Sequence, residues 1–350
     1  MADPLSAPFP VSPSFEALGR MLAAGFPEDA DEVLDRALQD LERERRLDQA
    51  WLLLRQARPD PARWGGFMAR VKARVNQGRG LRMNLSATDP DRITLRLQFE
   101  LRTPACVHNP AALLGVLTGA LLAAGFPVAL GPDKSLRPAI HLGHPLPPMV
   151  EGRGEWADVA LTEGTRATER ELADRINEHA PPGLRILQCR QVPNHGSPVA
   201  DLCRQAQWRW TCPAPALEAA RERVEAFLAS PVFEVGRTGK IGGQKGAKRV
   251  DIRPLLEDCR WEGAELRFRT RLAPGEATNP RKLLSAILGL EIPPDGLARL
   301  SVDLGEDPRL AEPGKFEPRL RNIYEDAVLL ESGGSIRILE DDDDEPVVLG

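Results

Sequence analysis

Tyrosine occurs once in this chain of 350 residues, and aromatic side chains make up only 5% of it. A sheet that reads single-stranded RNA by stacking bases needs exposed aromatics, so that mode of recognition lacks its material. Cysteine is scarce as well. The five present, Cys106, Cys189, Cys203, Cys212 and Cys259, form no CxxC pair, which argues against a disulfide framework or a zinc ribbon. An odd, scattered set suits a reducing compartment, and a cytoplasmic protein is expected. Long apolar runs are missing too. The longest candidate, Ala111 to Leu130, is interrupted by Gly115, Gly119, Gly125 and Pro127, whereas a membrane span needs roughly 20 apolar residues. No membrane partner is expected, and the four prolines within Met1 to Ser14 leave no secretion signal there.

Net charge is also small, at −5, but it is unevenly placed. Glu340 to Glu345 is an unbroken run of six acids, so the rest of the chain is close to neutral. Within it, Val235 to Arg271 holds ten Lys or Arg against five Asp or Glu. A basic stretch with an acidic tail points toward a polyanionic partner.

The chain is too long for one core, so two or three domains are expected. Residues 1–80 carry apolar residues at helical spacing, among them Leu18, Met21 and Leu22 after a cap at Ser14. Beyond a linker at Gln77 to Asp91 the period drops to two. Ile93, Leu95, Leu97, Phe99 and Leu101 alternate with polar residues, which predicts a strand buried on one face. A helix near Ala111 to Ala124 follows, then strands near Ala139–Leu142 and Trp156–Leu161. A helix capped by Thr168 and a strand from Leu184 to Gln191 complete a βαββαβ order. That order recurs: a strand at Ala206–Cys212, a helix at Pro215–Ala229 and strands at Val232–Val235 and Ala264–Leu272. A helix capped near Asn279 and a strand at Leu297–Leu304 close it, with an extra hairpin inserted.

The expected fold class is α+β: a helical N-terminal module (1–80) followed by two tandem ferredoxin-like (βαββαβ) units at 90–195 and 204–305. A C-terminal extension with the acidic tail (306–350) follows, with a strand-like run at Ser335–Leu339.

Five segments carry a family resemblance. They run from Ala124 to Ala129, Trp156 to Glu163, Pro181 to Leu187, Lys248 to Leu255 and Asn279 to Leu290. In this order they resemble the radical-SAM-associated domain of unknown function, which is fused to or encoded beside cobalamin-type radical SAM proteins. The resemblance covers roughly residues 90–305 and implies a radical SAM enzyme as partner. The sequence departs from the family at two polar elements. Only His108 of Val107-His108-Asn109-Pro110 matches the family's Ser-His-Leu-Asp, and Gly131 to Pro138 has no histidine where the family carries Gly-Phe-Asn-Pro-His-Pro. No CxxxCxxC motif is present, so the chain is not itself the radical SAM enzyme.

For chemistry, Cys106-x-His108 and His141-x-x-His144 are the candidate metal or nucleophile cluster, although neither has a standard ligand spacing. The glycine-rich stretch Gly236 to Arg249 brings Arg237, Lys240, Lys245, Lys248 and Arg249 next to backbone that can approach a phosphate. It lacks the order of a nucleotide-triphosphate loop. On the strands, Arg267, Arg269 and Arg271 fall opposite Leu266, Phe268 and Thr270. Arg209 falls opposite Trp208 and Trp210, and Arg96 and Arg102 are expected on the open face. Asp251, flanked by Arg249 and Arg253, reads as an ion-pair partner.

The function expected is that of a non-catalytic accessory protein of a radical SAM system, binding RNA or a ribonucleoprotein without a cofactor. Its site residues are Arg237, Lys240, Lys245, Lys248, Arg249, Arg253, Arg267, Arg269 and Arg271. The alternatives are a metal-dependent enzyme with a site near Cys106, His108, His141 and His144, and a protein-interaction scaffold using the N-terminal helices.

Overall fold

Four helices come first: α1 (Pro13–Ala24), α2 (Ala30–Arg43), α3 (Leu47–Ala57) and α4 (Pro61–Arg82). The computed structural model describes residues 12–25, 30–82, 93–131, 136–164, 167–194, 196–241, 244–272 and 279–311. The strand-like run at Ser335–Leu339 and the acidic tail lie outside them. The cap expected at Ser14 sits at Ser12, whose hydroxyl accepts the Phe15 N–H at 3.2 Å. Pro13 needs no hydrogen-bond acceptor at the first helical position, so the helix starts upstream of the expected point. Ser14 instead donates its hydroxyl to Glu44 at 2.6 Å.

These helices share a core with the first part of the sheet. Leu18, Trp51, Phe67 and Val71 belong to one buried apolar cluster with Leu95 and Phe99 of β1 (Ile93–Leu101) and Leu117 of α5 (Pro110–Ala123). Polar bonds pin the same contact. Trp51 donates its indole N–H to the Leu136 carbonyl at 3.2 Å, and Gln49 donates to Val128 at 3.1 Å. Each fully buried leucine or phenylalanine contributes about 1.5–3 kcal/mol, so the helices and this part of the sheet stabilise each other.

The remaining elements of the first part are β2 (Ile140–Leu142), β3 (Glu151–Leu161), α6 (Glu169–Asn177) and β4 (Leu184–Val192). Thr168 caps α6 as expected, in a reciprocal box with Glu171. A short helix, α7 (Val199–Leu202), leads into β5 (Cys203–Thr211) and α8 (Leu217–Ala229). Then come β6 (Glu234–Ile241), β7 (Gln244–Asp251), β8 (Leu256–Glu262), β9 (Glu265–Arg271), α9 (Pro280–Leu288), β10 (Leu297–Leu304) and α10 (Pro308–Ala311). Asn279 caps α9 as expected, and β10 has the bounds the sequence predicts.

Eight strands form one mixed sheet in the order β4-β1-β3-β10-β5-β9-β8, with β2 also paired to β3. Every pairing is antiparallel except that of β10 with β3, which holds through Ala298↔Glu151 and Arg299↔Gly152. That short parallel ladder is the seam between the halves. The second half has its own buried cluster, built from Trp208, Trp210 and Phe268 against Val224, Phe227, Leu284 and Ile287.

Both halves carry their helices on the same side. Arg299, on the helix side with Trp208, bonds Glu155, which pairs with Phe99 in register and lies on the helix side of the first half. The opposite side presents Gln98, Arg209, Arg267 and Arg269. The strand expected at Val232–Val235 belongs to a longer hairpin: among the described residues β6 and β7 pair only with each other, as a separate two-stranded sheet.

Candidate nucleic-acid interface

The hairpin is held at its base by Asp251. Its carboxylate accepts the Phe233 N–H at 2.9 Å and the Arg253 N–H at 3.0 Å. The expected ion pair of Asp251 with its neighbouring arginines is replaced by these backbone bonds, because the chain turns there into the β8 connection. Ile252 adds an N–H bond to the Phe233 carbonyl, and the Phe227 and Phe233 rings meet edge to face with centroids 5.1 Å apart. The base is therefore part of the second core.

Beyond the base, the register pairs Arg237 with Lys248 and Lys240 with Lys245. Between Gly236 and Arg249 there are five Lys or Arg and no acid. Arg249 itself lies near Glu234, at 3.4 Å with both side chains largely exposed. Arg253 is occupied in packing, with its guanidinium 5.4 Å from the Phe227 ring centroid and a bond to the Leu256 carbonyl at 3.3 Å.

The alternation on β9 matches expectation: Leu266, Phe268 and Thr270 are buried, and the arginines face the other way. Each of these arginines has a carboxylate beside it. Arg267 pairs with Glu262 at 3.0 Å, Arg269 with Asp258 at 2.9 Å and Arg271 with Glu257 at 2.6 Å. Arg209 lies 3.6 Å from Glu265. Exposed pairs such as these contribute little to stability, about 0–1 kcal/mol each, but they largely cancel the field a phosphate would meet.

Two expectations are corrected on the first strand. Arg96 is not on an open face: it is buried, with a bidentate pair to Asp158 at 2.8 and 2.9 Å and a bond to the Ser197 carbonyl. Residues 196–199 cross over it, and Val199 N–H completes the Asp158 carboxylate at 2.8 Å. Arg102 is exposed but returns to Glu100 at 2.8 Å.

The cysteine–histidine candidates converge in part. Cys106, His108 and His144 line one narrow cleft with Glu155 and Trp156, while His141 sits outside its lining, exposed on β2 opposite Asp158. Burial, reinforced by the Arg299 guanidinium, lowers the His144 pKa to about 4. Among the described residues no group of three or more His, Cys, Asp or Glu could hold a metal ion. Burial also pushes the Cys189 and Cys259 thiols up to about 12, which keeps them protonated and poor nucleophiles.

Sequence reasoning did not anticipate the buried pair between Arg299 and Glu155. Arg299 Nε lies 2.8 Å from Glu155 Oε1, Nη2 bonds both Glu155 and the His144 carbonyl, and the guanidinium sits 5.3 Å from the Trp208 ring centroid. The available signal was an acid next to a strand whose other residues are almost all apolar, Trp156 to Leu161, and an arginine inside the closing strand.

These observations define an α+β chain with one mixed sheet and an appended basic hairpin. The model of a family described as an uncharacterised protein conserved in bacteria (DUF2344) matches residues 124–281, from the end of α5 into α9. The match covers less than half of the chain and takes in part of both halves of the sheet. No curated protein matches the chain. Among the described residues, no helix is long and apolar enough to cross a membrane.

Proposed function

We propose that this protein is a non-catalytic, cytoplasmic accessory protein that binds RNA, free or within a ribonucleoprotein, through the phosphate backbone. The β6–β7 hairpin is the main contact. The observation that carries this reading is the acid-free run Gly236–Arg249, with like-charged residues opposed in register on a hairpin outside the main sheet. Arg267, Arg269 and Arg271 are secondary, because each already has a carboxylate within 3.0 Å.

The strand orders β4-β1-β3-β2 and β10-β5-β9-β8 support a finer reading of the fold as two ferredoxin-like units sharing one sheet. In that reading the hairpin is an insertion between the first helix and second strand of the second unit. The family resemblance extends the proposal to a partner: the protein would present an RNA-linked substrate to a radical SAM enzyme.

Fluorescence anisotropy with a labelled oligouridylate of about 20 nucleotides tests the RNA reading. Five phosphate contacts give a slope of about −3.5 in log K against log salt, and Lys240→Gln with Lys245→Gln reduces its magnitude by about 1.4. Binding that is insensitive to salt, or unchanged by the double substitution, overturns it. A pull-down with RNase-treated and untreated arms separates an RNA-mediated partner from a direct one.

A further inference from the structure

We propose that the cavity between α1, α3 and the end of α5 binds a small uncharged molecule with an apolar body and one hydrogen-bond donor. The site is separate from the hairpin and does not depend on RNA binding.

Helical spacing builds its walls. Phe15 and Gly19 stand one turn apart on α1, and Gln49, Leu53 and Ala57 follow one another at the same interval on α3. Leu122 at the end of α5 and Phe126 in the turn beyond it extend the apolar lining. The space measures about 480 Å³ and is partly open to solvent. Pockets for small molecules run from about 300 to 1,000 Å³, and an apolar cavity of about 150 Å³ already takes up benzene.

The two glycines of the lining have different reasons to be there. At Gly119 on α5 a Cβ would run into the Gln56 amide, which crosses from α3 to bond the Gly115 carbonyl at 3.3 Å. At Gly19 a Cβ meets nothing within 4 Å. Glycine inside a helix lowers its stability, and at Gly19 no packing contact accounts for the choice. What it leaves is room in the cavity.

Charge decides the class of ligand. Three side chains of the lining ionise, and each already has a counter-ion. Glu16 lies 3.8 Å from Arg20, Arg46 lies 2.6 Å from Glu163 and Arg175 lies 2.9 Å from Glu178. An ionised ligand would lose hydration here without gaining an unpaired partner, so an uncharged one is favoured. One polar group is left over. Gln49 is 2% exposed, and its Nε2 donates to the Val128 carbonyl at 3.1 Å. A carbonyl only accepts, so the orientation of the amide is fixed. Among the described residues its Oε1 has no donor. A buried acceptor left unpaired is costly, and a ligand hydroxyl or N–H supplies the missing bond.

The test uses N-phenyl-1-naphthylamine, which is uncharged, has one N–H donor and fluoresces in apolar surroundings. It is titrated into the full-length native chain and into Gly19→Leu, whose side chain fills the cavity without displacing a neighbour. Ala57→Leu fills it from the α3 wall; Ala57 is exposed, so this second variant folds even if the first does not. Saturable enhancement with the native chain, weakened at least about tenfold by either filling substitution, is expected. The anionic relative 8-anilinonaphthalene-1-sulfonate is expected to bind at the same place at least about tenfold more weakly. No saturable enhancement with the native chain, or enhancement that a folded filled variant retains, overturns the site. A filling-sensitive signal as strong for the sulfonate as for the amine overturns the assignment of an uncharged ligand.

Discussion

Arg299 on β10 and Glu155 on β3 join the two halves of the sheet from positions 144 residues apart, with Nε and Oε1 separated by 2.8 Å. Arg299 is wholly buried and Glu155 nearly so. The parallel ladder at this seam is short, so the ion pair and the bonds from Arg299 to the His144 and Pro145 carbonyls supply much of its polar connection.

Removing one partner is therefore expected to be costly. Arg299→Met leaves Glu155 buried without its cation and destabilises the protein by about 3–5 kcal/mol. The double substitution Arg299→Met with Glu155→Gln recovers part of that loss. Urea unfolding of the single and double variants measures the coupling; a single variant within 1 kcal/mol of native (about one tenth of a typical stability) would contradict the assignment.

His144 gives the stability a defined pH dependence. Its pKa falls from the usual 6.5 to about 4 in the folded protein, because burial and the adjacent Arg299 disfavour the imidazolium. Between those two values the unfolded chain binds a proton that the folded one does not. Stability is therefore full above about pH 6.5 and declines as pH falls toward 4, by at most about 3 kcal/mol from this group. Urea midpoints measured across that range should fall, and His144→Asn should flatten the fall.

Two glycines are expected to respond in opposite directions to alanine. At Gly183, φ is +87° and a Cβ would lie 2.5 Å from the Arg102 carbonyl oxygen and 2.8 Å from the Ala105 nitrogen. Both obstacles are backbone, so Gly183→Ala should destabilise by about 2 kcal/mol or more. At Gly115 in α5 a Cβ meets nothing within 4 Å, so Gly115→Ala should stabilise by up to about 1 kcal/mol. Thermal unfolding of the two variants checks both signs.

The division between hairpin and sheet face is also measurable. Glu262→Gln with Glu265→Gln removes acids that lie near Arg267, Arg209 and Arg260. If the hairpin carries the contact, oligouridylate affinity changes by no more than about twofold, a shift smaller than two lost phosphate contacts would cause. A larger gain would move the interface onto the sheet.

Local pattern made much of the fold legible. Thr168 and Asn279 cap their helices because each side chain reaches a backbone N–H within its own first turn. The alternations in β1 and β9 report one buried face each, since neighbouring side chains on a strand point to opposite sides. The basic stretch was likewise visible, and its glycines agree with a hairpin. Ser14 is not the cap because Pro13 already occupies the first helical position, and the full length of the hairpin is hidden in the sequence because Gly236, Gly239 and Gly246 interrupt its alternation.

The sequence by itself determined where most of the strands and helices lie and which strand face holds the apolar residues, because those properties repeat over two to four residues. Only the tertiary structure decided which charges stay available. Arg96 finds Asp158 across β1 and β3, Arg269 finds Asp258 across β8 and β9, and Arg299 finds Glu155 across the seam. Periodicity assigns a side chain to a face, but its partner depends on which strand lies alongside, and strand order is a long-range outcome of burying two apolar clusters under one sheet.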